Sequence, residues 1–261
     1  MIKVCGMRDA ENIREVERLF TQDSSLFIQD SSLPTLHSSL PTFWMGFIFW
    51  PKSSRYVAEP PAYLPERAKR VGVFVDEDVE QICRIARDFA LDVIQLHGHE
   101  SPDFIRRLQS SMVNGQWSMV NGQRSMFNGQ CSMVNGQCSM VNGQCSMFNG
   151  QRSMVKAFNI ATASDLEQTK AYEGLVDYFL FDTKATLPGG SGQQFDWSIL
   201  EAYKGETPFL LSGGIGPDDA ERVKSFRHPR CAGIDLNSRF EVAPALKDVK
   251  KLKEFLEKIQ E

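Results

Sequence analysis

Short apolar runs alternate with amphipathic stretches along most of this 261-residue chain. Continuous apolar runs of about 4 to 8 residues are typical of strands buried on both faces, as in a parallel sheet. The pattern predicts eight strands, at IKVC (2–5), WMGFIF (44–49), RVGVFV (70–75), DVIQLH (92–97), MVKAF (154–158), DYFLFD (177–182), PFLLSGG (208–214) and CAGIDL (231–236).

Helical periodicity follows most of these runs. The predicted helices are Asp9 (as N-cap) to Leu19, 77–89, 101–109, 162–172, a helix near Trp197, 216–226 and 245–260. Strands that alternate with helices form a parallel sheet, and eight such units close into a barrel. We therefore predict an α/β fold, a single-domain (β/α)8 TIM barrel over 1–261. A doubly wound open sheet is the competing architecture, but no GxGxxG follows the first strand.

A heptapeptide repeat interrupts the alternation between 110 and 153. The unit SM[VF]NGQx begins at Ser111 and recurs every seven residues as far as Ser146. A coiled coil has the same period, but Asn-Gly favours turns and the unit lacks the flanking charges of a heptad. Short hairpins at Asn-Gly and a polar excursion without fixed structure are the interpretations left open.

A second low-complexity insertion covers 21–42, where the tripeptide Ser-Ser-Leu recurs without helical periodicity. Without the two insertions about 195 residues remain, close to the lower end for single-chain barrels. Both insertions fall in predicted αβ loops, which open on the face opposite the active site of such barrels. We therefore predict an active enzyme despite them.

Composition narrows the class of ligand. The chain is 42% hydrophobic and 24% charged, and 29 basic against 33 acidic residues give a net charge of −4. No basic stripe supports a nucleic-acid partner, and no apolar run approaches the ~20 residues of a membrane span. The N-terminal residues have no signal-peptide pattern. We predict a cytoplasmic protein with a small-molecule substrate.

Cysteine spacing gives no reason to expect a metal or a disulfide framework. Three of the six cysteines lie inside the repeat, and Cys5, Cys83 and Cys231 are scattered without CxxC or Cys/His zinc spacing.

Five polar residues stand at or just after the predicted strand ends, where barrels of this kind carry their catalytic groups. They are Cys5, Arg55, His97, Asp182 and Asp235.

The motifs around these residues resemble those of the phosphoribosylanthranilate isomerase family, in the same order. They are KVCGM, GFIFWPKSSRYV, RVGVFV, QLHG, FDTKATLPGGSGQQFDW, LLSGGI and GIDLNSRFE. The resemblance covers essentially all of the non-repetitive chain. It implies an Amadori rearrangement of N-(5'-phosphoribosyl)anthranilate to 1-(o-carboxyphenylamino)-1-deoxyribulose 5-phosphate in tryptophan biosynthesis, without a cofactor.

The resemblance implies that Cys5 is the general base and Asp182 the general acid. The thiol then has to lie near its thiolate form, from a free value of about 8.5, and the carboxyl has to hold its proton in the complex. Taken alone, Cys5 could be a small buried hydrophobe and Asp182 an N-cap or loop-bracing carboxylate. The surrounding motifs favour the catalytic interpretation.

Three further residues are expected at the substrate. Arg55 is expected to pair with the anthranilate carboxylate, because a guanidinium matches a planar anion with two hydrogen bonds; a surface arginine is the alternative. His97 resembles the family's substrate-site histidine, but a structural hydrogen-bonding role stays open. Asp235 completes this set.

The phosphate is expected at the loops after strands seven and eight, where such barrels hold it. Gly213 and Gly214 would let the backbone approach the anion, although Gly-Gly is also typical of a tight turn. The second loop carries Asn237, Ser238 and Arg239. Arg239 stands where many relatives have glycine, and its role stays open between a phosphate clamp and a solvent-facing charge.

A glycine-rich segment follows the proposed acid, with Gly189, Gly190, Ser191 and Gly192 in succession. The resemblance favours a lid that closes over the substrate, and a disordered loop is the alternative.

Two other functional classes are kept. One is a different phosphosugar barrel, either indole-glycerol-phosphate synthase, which needs a lysine at a strand end, or ProFAR isomerase, which needs an aspartate after strand one. The other is an inactive barrel whose repeat serves as an interaction module. The oligomeric state, monomer or homodimer, stays open.

Overall fold

A closed barrel of eight parallel strands is the frame of the molecule, as the alternation predicted. The computed structural model describes residues 1–20, 43–113, 152–183 and 196–260. Each strand pairs with its neighbours in chain order. The strands are β1 (Ile2–Cys5), β2 (Phe43–Ile48), β3 (Lys69–Phe74), β4 (Val93–Leu96), β5 (Ser153–Ile160), β6 (Tyr178–Thr183), β7 (Phe209–Ser212) and β8 (Cys231–Leu236).

The barrel closes between its first and last strands. Ile2 lies opposite Ile234, and Lys3 lies opposite Asp235. Since side chains alternate along a strand, one set fills the barrel interior and the other packs outward against the helices. The inner set includes Trp44, and its aliphatic members are mostly valine and leucine, as expected for strands that are buried on both faces.

Five α-helices surround the strands in the described residues: α1 (Ala10–Leu19), α2 (Val79–Asp88), α3 (Pro102–Val113), α4 (Ala220–Ser225) and α5 (Val249–Gln260). Asp9 caps α1 as predicted, because its Oδ1 accepts a hydrogen bond of 2.8 Å from the backbone of Asn12. None of the described helices is both long and apolar enough to cross a bilayer.

Three of the predicted helices take a different form. Ala163–Tyr172 and Trp197–Ala202 are 3₁₀ helices, and the predicted helix 216–226 is a 3₁₀ turn, Pro217–Asp219, followed by α4. A 3₁₀ helix rises about 2.0 Å per residue against ~1.5 Å for an α-helix, so it spans the return between strands with fewer residues. Apolar periodicity does not distinguish the two forms over such short stretches.

The predicted terminal helix 245–260 begins four residues late. Its first part belongs to an antiparallel pair, β9 (Glu241–Ala243) with β10 (Leu246–Lys247). Ala245 has a φ of +66°, which a helix does not contain. The side-chain amide of Asn12 bonds both backbone groups of Lys247, at 2.7 and 3.0 Å, and holds this segment extended.

The two insertions fall largely outside the described residues. Helix α3 runs to Val113 and β5 begins at Ser153, so these elements take in both ends of the repeat. The junctions are the C-terminal end of a helix and the N-terminal end of a strand. They therefore lie on the face of the barrel opposite the C-terminal ends of the strands.

Candidate active site

A cavity of about 180 Å³ opens at the C-terminal ends of the strands. Side chains or loops from β1, β4, β6, β7 and β8 all reach it. It gathers every described residue that the sequence placed at the site except Arg55: Cys5, His97, Asp182, Gly213, Gly214, Asp235, Asn237, Ser238 and Arg239. The glycine-rich segment of Gly189, Gly190, Ser191 and Gly192, predicted to be a lid, lies outside the described residues.

Cys5 is the last residue of β1 and is almost fully buried, with 4% of its surface exposed. Its sulfur lies where a side chain on Gly46 would otherwise project, since a Cβ there would be 2.7 Å from Sγ. Burial raises the pKa of the Cys5 thiol above its ordinary value, although the charge of Lys3 opposes the rise. The burial of Cys5 therefore opposes the thiolate form that a general base requires, and the charge of Lys3 favours it.

A buried ion pair lies directly beneath the cysteine. Lys3, with no exposed surface, places Nζ 2.8 Å from Oδ1 of Asp235. The other oxygen of Asp235 accepts a hydrogen bond of 3.0 Å from Ser212 Oγ. Both oxygens of Asp235 are therefore engaged within the protein, although the residue lines the cavity.

Asp182 and His97 meet across the cavity from β6 and the end of β4. His97 Nε2 lies 3.6 Å from Asp182 Oδ2, and both side chains are partly exposed. The amide nitrogen of Gln95 lies 2.9 Å from His97 Nδ1. An amide nitrogen only donates, so this contact favours the tautomer in which Nδ1 accepts; Nε2 is the ring nitrogen that faces Asp182.

Arg55 is engaged outside the cavity. Its Nε and Nη2 grip the carboxylate of Glu241, with an Nη2 to Oε2 distance of 2.6 Å. Lys247 Nζ contacts the same carboxylate at 2.7 Å. Burial opposes ionisation of Glu241, but hydrogen bonds from Arg55 and Lys247 outweigh it and lower its pKa. The structure thus shows Arg55 already holding a carboxylate, in the two-pronged geometry predicted for the substrate.

Gly6 makes room for this arrangement. It has a φ of +78°, and a Cβ on it would lie 2.7 Å from Arg55 Cδ and 2.8 Å from Asn237 Oδ1. A side chain at this position would be strained and would collide with both neighbours. The turn after the proposed base therefore also sets the position of Arg55.

The predicted phosphate end combines an open backbone with an exposed arginine. Gly213 and Gly214 have φ values of +96° and +71°, and a Cβ on Gly214 would meet nothing within 4 Å. Arg239 is exposed at the cavity edge. Among the described residues it forms no ion pair, unlike Arg55.

Three polar residues of this region were missed from the sequence: Lys3, Gln95 and Ser212. Each interrupts an apolar strand with a side chain that is buried in the structure. A buried polar group is stable only with a hydrogen-bonding or charged partner. A polar residue within an apolar strand was therefore the sequence feature that could have indicated a polar site here. Among the residues that the structure describes, no cluster of His, Cys, Asp and Glu could hold a metal ion.

Comparisons with known proteins match the chain to one family. The family model for N-(5'phosphoribosyl)anthranilate (PRA) isomerase matches residues 35–123 and 145–258. The N-(5'-phosphoribosyl)anthranilate isomerase of Parabacteroides distasonis is 42% identical, with 99% of this chain and 93% of that protein covered. The enzyme of the same name from Phocaeicola vulgatus is 40% identical, with 100% and 98% covered.

Solved structures agree on the fold. Phosphoribosyl anthranilate isomerase from Thermotoga maritima superposes with a TM-score of 0.65 at 24% identity, covering 99% of this chain and 97% of that one. A phosphoribosyl anthranilate isomerase in complex with reduced 1-(o-carboxyphenylamino)-1-deoxyribulose 5-phosphate has a TM-score of 0.63 at 22% identity, with the same shares covered.

Proposed function

Because the chain belongs to the N-(5'-phosphoribosyl)anthranilate isomerase family, we propose that it catalyses the Amadori rearrangement of N-(5'-phosphoribosyl)anthranilate in tryptophan biosynthesis. It is then an aldose–ketose isomerase, an intramolecular oxidoreductase that works without a cofactor. The observation that carries the proposal is that Cys5 and Asp182, on β1 and β6, line one cavity at the C-terminal ends of the strands.

The reaction needs one acid and one base. Asp182 donates a proton to the furanose ring oxygen as the bond from that oxygen to C1 breaks, which leaves a Schiff base. Cys5 then removes the proton from C2, and the electron pair forms the C1–C2 double bond of an enolamine. Transfer of the C2 hydroxyl proton to C1 gives the aminoketose. Substrate and product have the same atoms, so no external oxidant or reductant is involved.

The raised pKa of the Cys5 thiol adds a condition to this scheme. Since burial raises its pKa, the thiol must lose a proton before it can act, and nearby cations must stabilise the resulting thiolate. His97 Nε2 faces Asp182 at 3.6 Å while Gln95 contacts the other ring nitrogen, which suits a role in orienting the acid. We assign His97 to substrate and acid positioning, and we assign it no proton transfer.

Two cationic positions suit the two anionic ends of the substrate. Arg55 is proposed to take the anthranilate carboxylate, which requires its guanidinium to share or exchange the carboxylate of Glu241 that it now holds. The phosphate is proposed at the backbone of Gly213 and Gly214, with Arg239 as its counter-ion and Asn237 and Ser238 beside it. Asp235 lines the cavity, but its two carboxylate oxygens already accept hydrogen bonds from Lys3 and Ser212. We therefore propose that it contacts the substrate only through the part of its side chain that faces the cavity.

Turnover of fresh substrate tests the proposal. Purified protein is incubated with newly made phosphoribosylanthranilate, whose fluorescence is followed for wild type, Cys5→Ser and Asp182→Asn. We expect wild type to consume the substrate and both variants to lose most of the rate. Cys83→Ser, a substitution of a half-buried cysteine on α2, is the matched control and should keep the rate.

Each alternative predicts a different result. An inactive barrel gives no turnover in wild type. A ProFAR isomerase gives turnover with its own phosphorylated aminoimidazole substrate and none with phosphoribosylanthranilate. Full activity of Cys5→Ser would remove the base assignment while leaving the overall reaction in place.

The proposal extends to where and in what form the enzyme acts. We place it in the cytoplasm, with other enzymes of amino-acid biosynthesis, and cell fractionation tests this. A monomer and a homodimer are both compatible with the site, because every described group that the mechanism uses comes from one chain. Light scattering of the purified protein decides between them.

A further inference from the structure

Lys3 is a fully buried lysine for which the reaction scheme has no task. It lies two residues before Cys5 on β1. Because side chains alternate along a strand, both residues project to the same side, into the barrel interior. Lys3 therefore lies beneath the floor of the cavity that Cys5 lines.

The surroundings of Lys3 connect it to the cavity rather than to the outer core. Its Nζ bonds Asp235 Oδ1 at 2.8 Å, and Ser212 Oγ bonds Oδ2 of the same carboxylate at 3.0 Å. Asp235, Ser212 and Cys5 all line the cavity. A hydrophobic side chain would fill this part of the barrel without the cost of removing a charge from water. The retained charge thus calls for an explanation beyond packing.

We propose that Lys3 is the positioning residue for the base: its buried ammonium stabilises the negative charge that Cys5 acquires as a thiolate, and Asp235 holds that ammonium in place. The inference rests on the proposed function, because it takes Cys5 to be the group that loses a proton. It predicts that the two members of the ion pair act on Cys5 with opposite sign.

The charges around the sulfur support this assignment. Four charged groups act on Cys5: Lys3 from its own strand, Asp235 from β8, Lys247 from β10 and Arg55 from the loop after β2. Burial is the largest influence and raises the pKa of the thiol; Lys3 lowers it most, and Asp235 raises it less than Lys3 lowers it. Burial would lower the pKa of Lys3 itself, yet Asp235 and Cys5 together raise it, so the ammonium stays charged.

The test measures the thiol directly and does not depend on turnover. Wild type, Lys3→Met and Asp235→Asn are alkylated with iodoacetamide between about pH 6.5 and 10, and mass spectrometry follows the peptide that contains Cys5. Each pKa unit changes the thiolate fraction about tenfold below the midpoint. We expect the midpoint, obtained from the alkylation rate on the ascending limb, to rise by at least about one unit in Lys3→Met and to fall in Asp235→Asn as long as Lys3 stays charged without its partner.

Two further variants keep the test decisive. Lys156→Met is the matched control, because Lys156 is also buried and paired with a carboxylate, that of Glu100, and does not face Cys5. Its alkylation midpoint should equal that of wild type. If a single substitution does not fold, Lys3→Met/Asp235→Asn leaves no unpaired charge and should still raise the midpoint, since the effect of Lys3 is the larger.

The outcomes separate this inference from the proposed function. Midpoints that stay within about half a unit of wild type in Lys3→Met and in the double variant would overturn the inference, whatever the turnover. Opposite shifts together with no turnover of phosphoribosylanthranilate would establish the effect of Lys3 on the Cys5 thiol but would remove the proposed function, and with it the assignment of Lys3 to positioning the base. Opposite shifts accompanied by a fall in kcat of Lys3→Met, with KM little changed, support both.

Discussion

The imidazole Nε2 of His97 lies 3.6 Å from Oδ2 of Asp182, so this edge of the ring faces the carboxylate. Gln95 contacts the opposite side of the ring: its amide nitrogen lies 2.9 Å from His97 Nδ1 and so helps to fix the orientation of the imidazole. Gln95 is 1% exposed, and among the described residues its amide oxygen has no hydrogen-bond partner. A buried group with one unused acceptor is retained at a cost, which indicates that its donor has a function.

Gln95→Leu should therefore reduce kcat more than it raises KM. The change removes the donor that fixes the ring, and a lost hydrogen bond of about 1 to 2 kcal/mol corresponds to roughly a 5- to 30-fold fall in rate. Nitrogen NMR of the labelled imidazole should show that the proton no longer resides on Nε2 alone.

Gln168→Leu, at an exposed glutamine, is the control for this change and should match wild type. Gln95→Glu should move the ring proton to Nδ1, since a carboxylate accepts where the amide donated. A ring that keeps its Nε2 proton in both variants would show that Gln95 does not set the tautomer.

The rise in the pKa of Cys5 predicts an alkaline pH profile. A general base works only when it is deprotonated, so kcat/KM should increase with pH up to the pKa of the free thiol. Burial places that pKa above the usual value of about 8.5, so the ascending limb should have its midpoint above it. As a control, kcat/KM of Cys83→Ala should depend on pH in the same way as that of wild type. A kcat/KM that has already reached its plateau at pH 7 would contradict the assignment of Cys5 as the general base.

Arg55→Lys keeps the charge of Arg55 but loses the two-pronged geometry. If Arg55 binds the anthranilate carboxylate, KM should rise about 10- to 100-fold while kcat changes little, as expected for a lost charge-assisted hydrogen bond of ~1.5 to 3 kcal/mol. Arg8→Lys is the control, because Arg8 contacts the same loop at the carbonyls of Ser54 and Tyr56. Equal KM values in the two variants would leave Arg55 with a purely structural pairing to Glu241.

Arg239 is expected to act on the phosphate alone. Arg239→Gln should raise KM for the phosphorylated substrate and weaken inhibition by inorganic phosphate by a similar factor, about 10-fold for a partly exposed ionic contact. Arg227→Gln removes an exposed arginine that does not line the cavity and provides the comparison. Unchanged phosphate inhibition in Arg239→Gln would indicate a solvent-facing charge.

The ends of α3 and β5 set the limits for removing the repeat. Deleting 114–151 and joining Val113 to Arg152 by a short Gly-Ser linker keeps both elements whole. The entropic cost of closing a loop depends only logarithmically on its length, so the free energy of unfolding should rise by about 1 to 2 kcal/mol in the deletion variant. Because the junctions lie opposite the cavity, kcat should stay close to that of wild type. The melting temperature and kcat are to be measured together; a loss of more than about tenfold in kcat, or ~1.4 kcal/mol in barrier, would give the repeat a functional role.

The barrel and most of the cavity could be predicted from local sequence. Strands buried on both faces leave continuous apolar runs, and residues at their ends must converge once the sheet closes, which is why Cys5, His97 and Asp182 were found together. The helical form of Ala163–Tyr172 could not be predicted, because 3₁₀ and α-helices share the same apolar periodicity over ten residues.

Side-chain contacts between residues that are far apart in the chain could not be predicted from the sequence. Arg55 and Glu241 are 186 positions apart, and nothing local distinguishes Glu241 from a solvent-facing glutamate. The extended segment around Lys247 was predicted as helix because its polar spacing fits one, and the side-chain amide of Asn12 that holds it extended lies 235 positions away. Lys3 and Gln95 were visible as polar interruptions of strands, but their partners were not.

The contact between β1 and β8 also constrains how the protein is made. The proposed base and the lysine beneath it leave the ribosome more than 200 residues before Asp235, which holds that lysine: Lys3 and Asp235 are 232 positions apart. The nascent chain therefore presents an unpaired strand edge and an uncompensated lysine until β8 has been synthesised. A truncated product that ends before β8 would expose open edges on both β1 and β7, which favours aggregation over any partly active fragment.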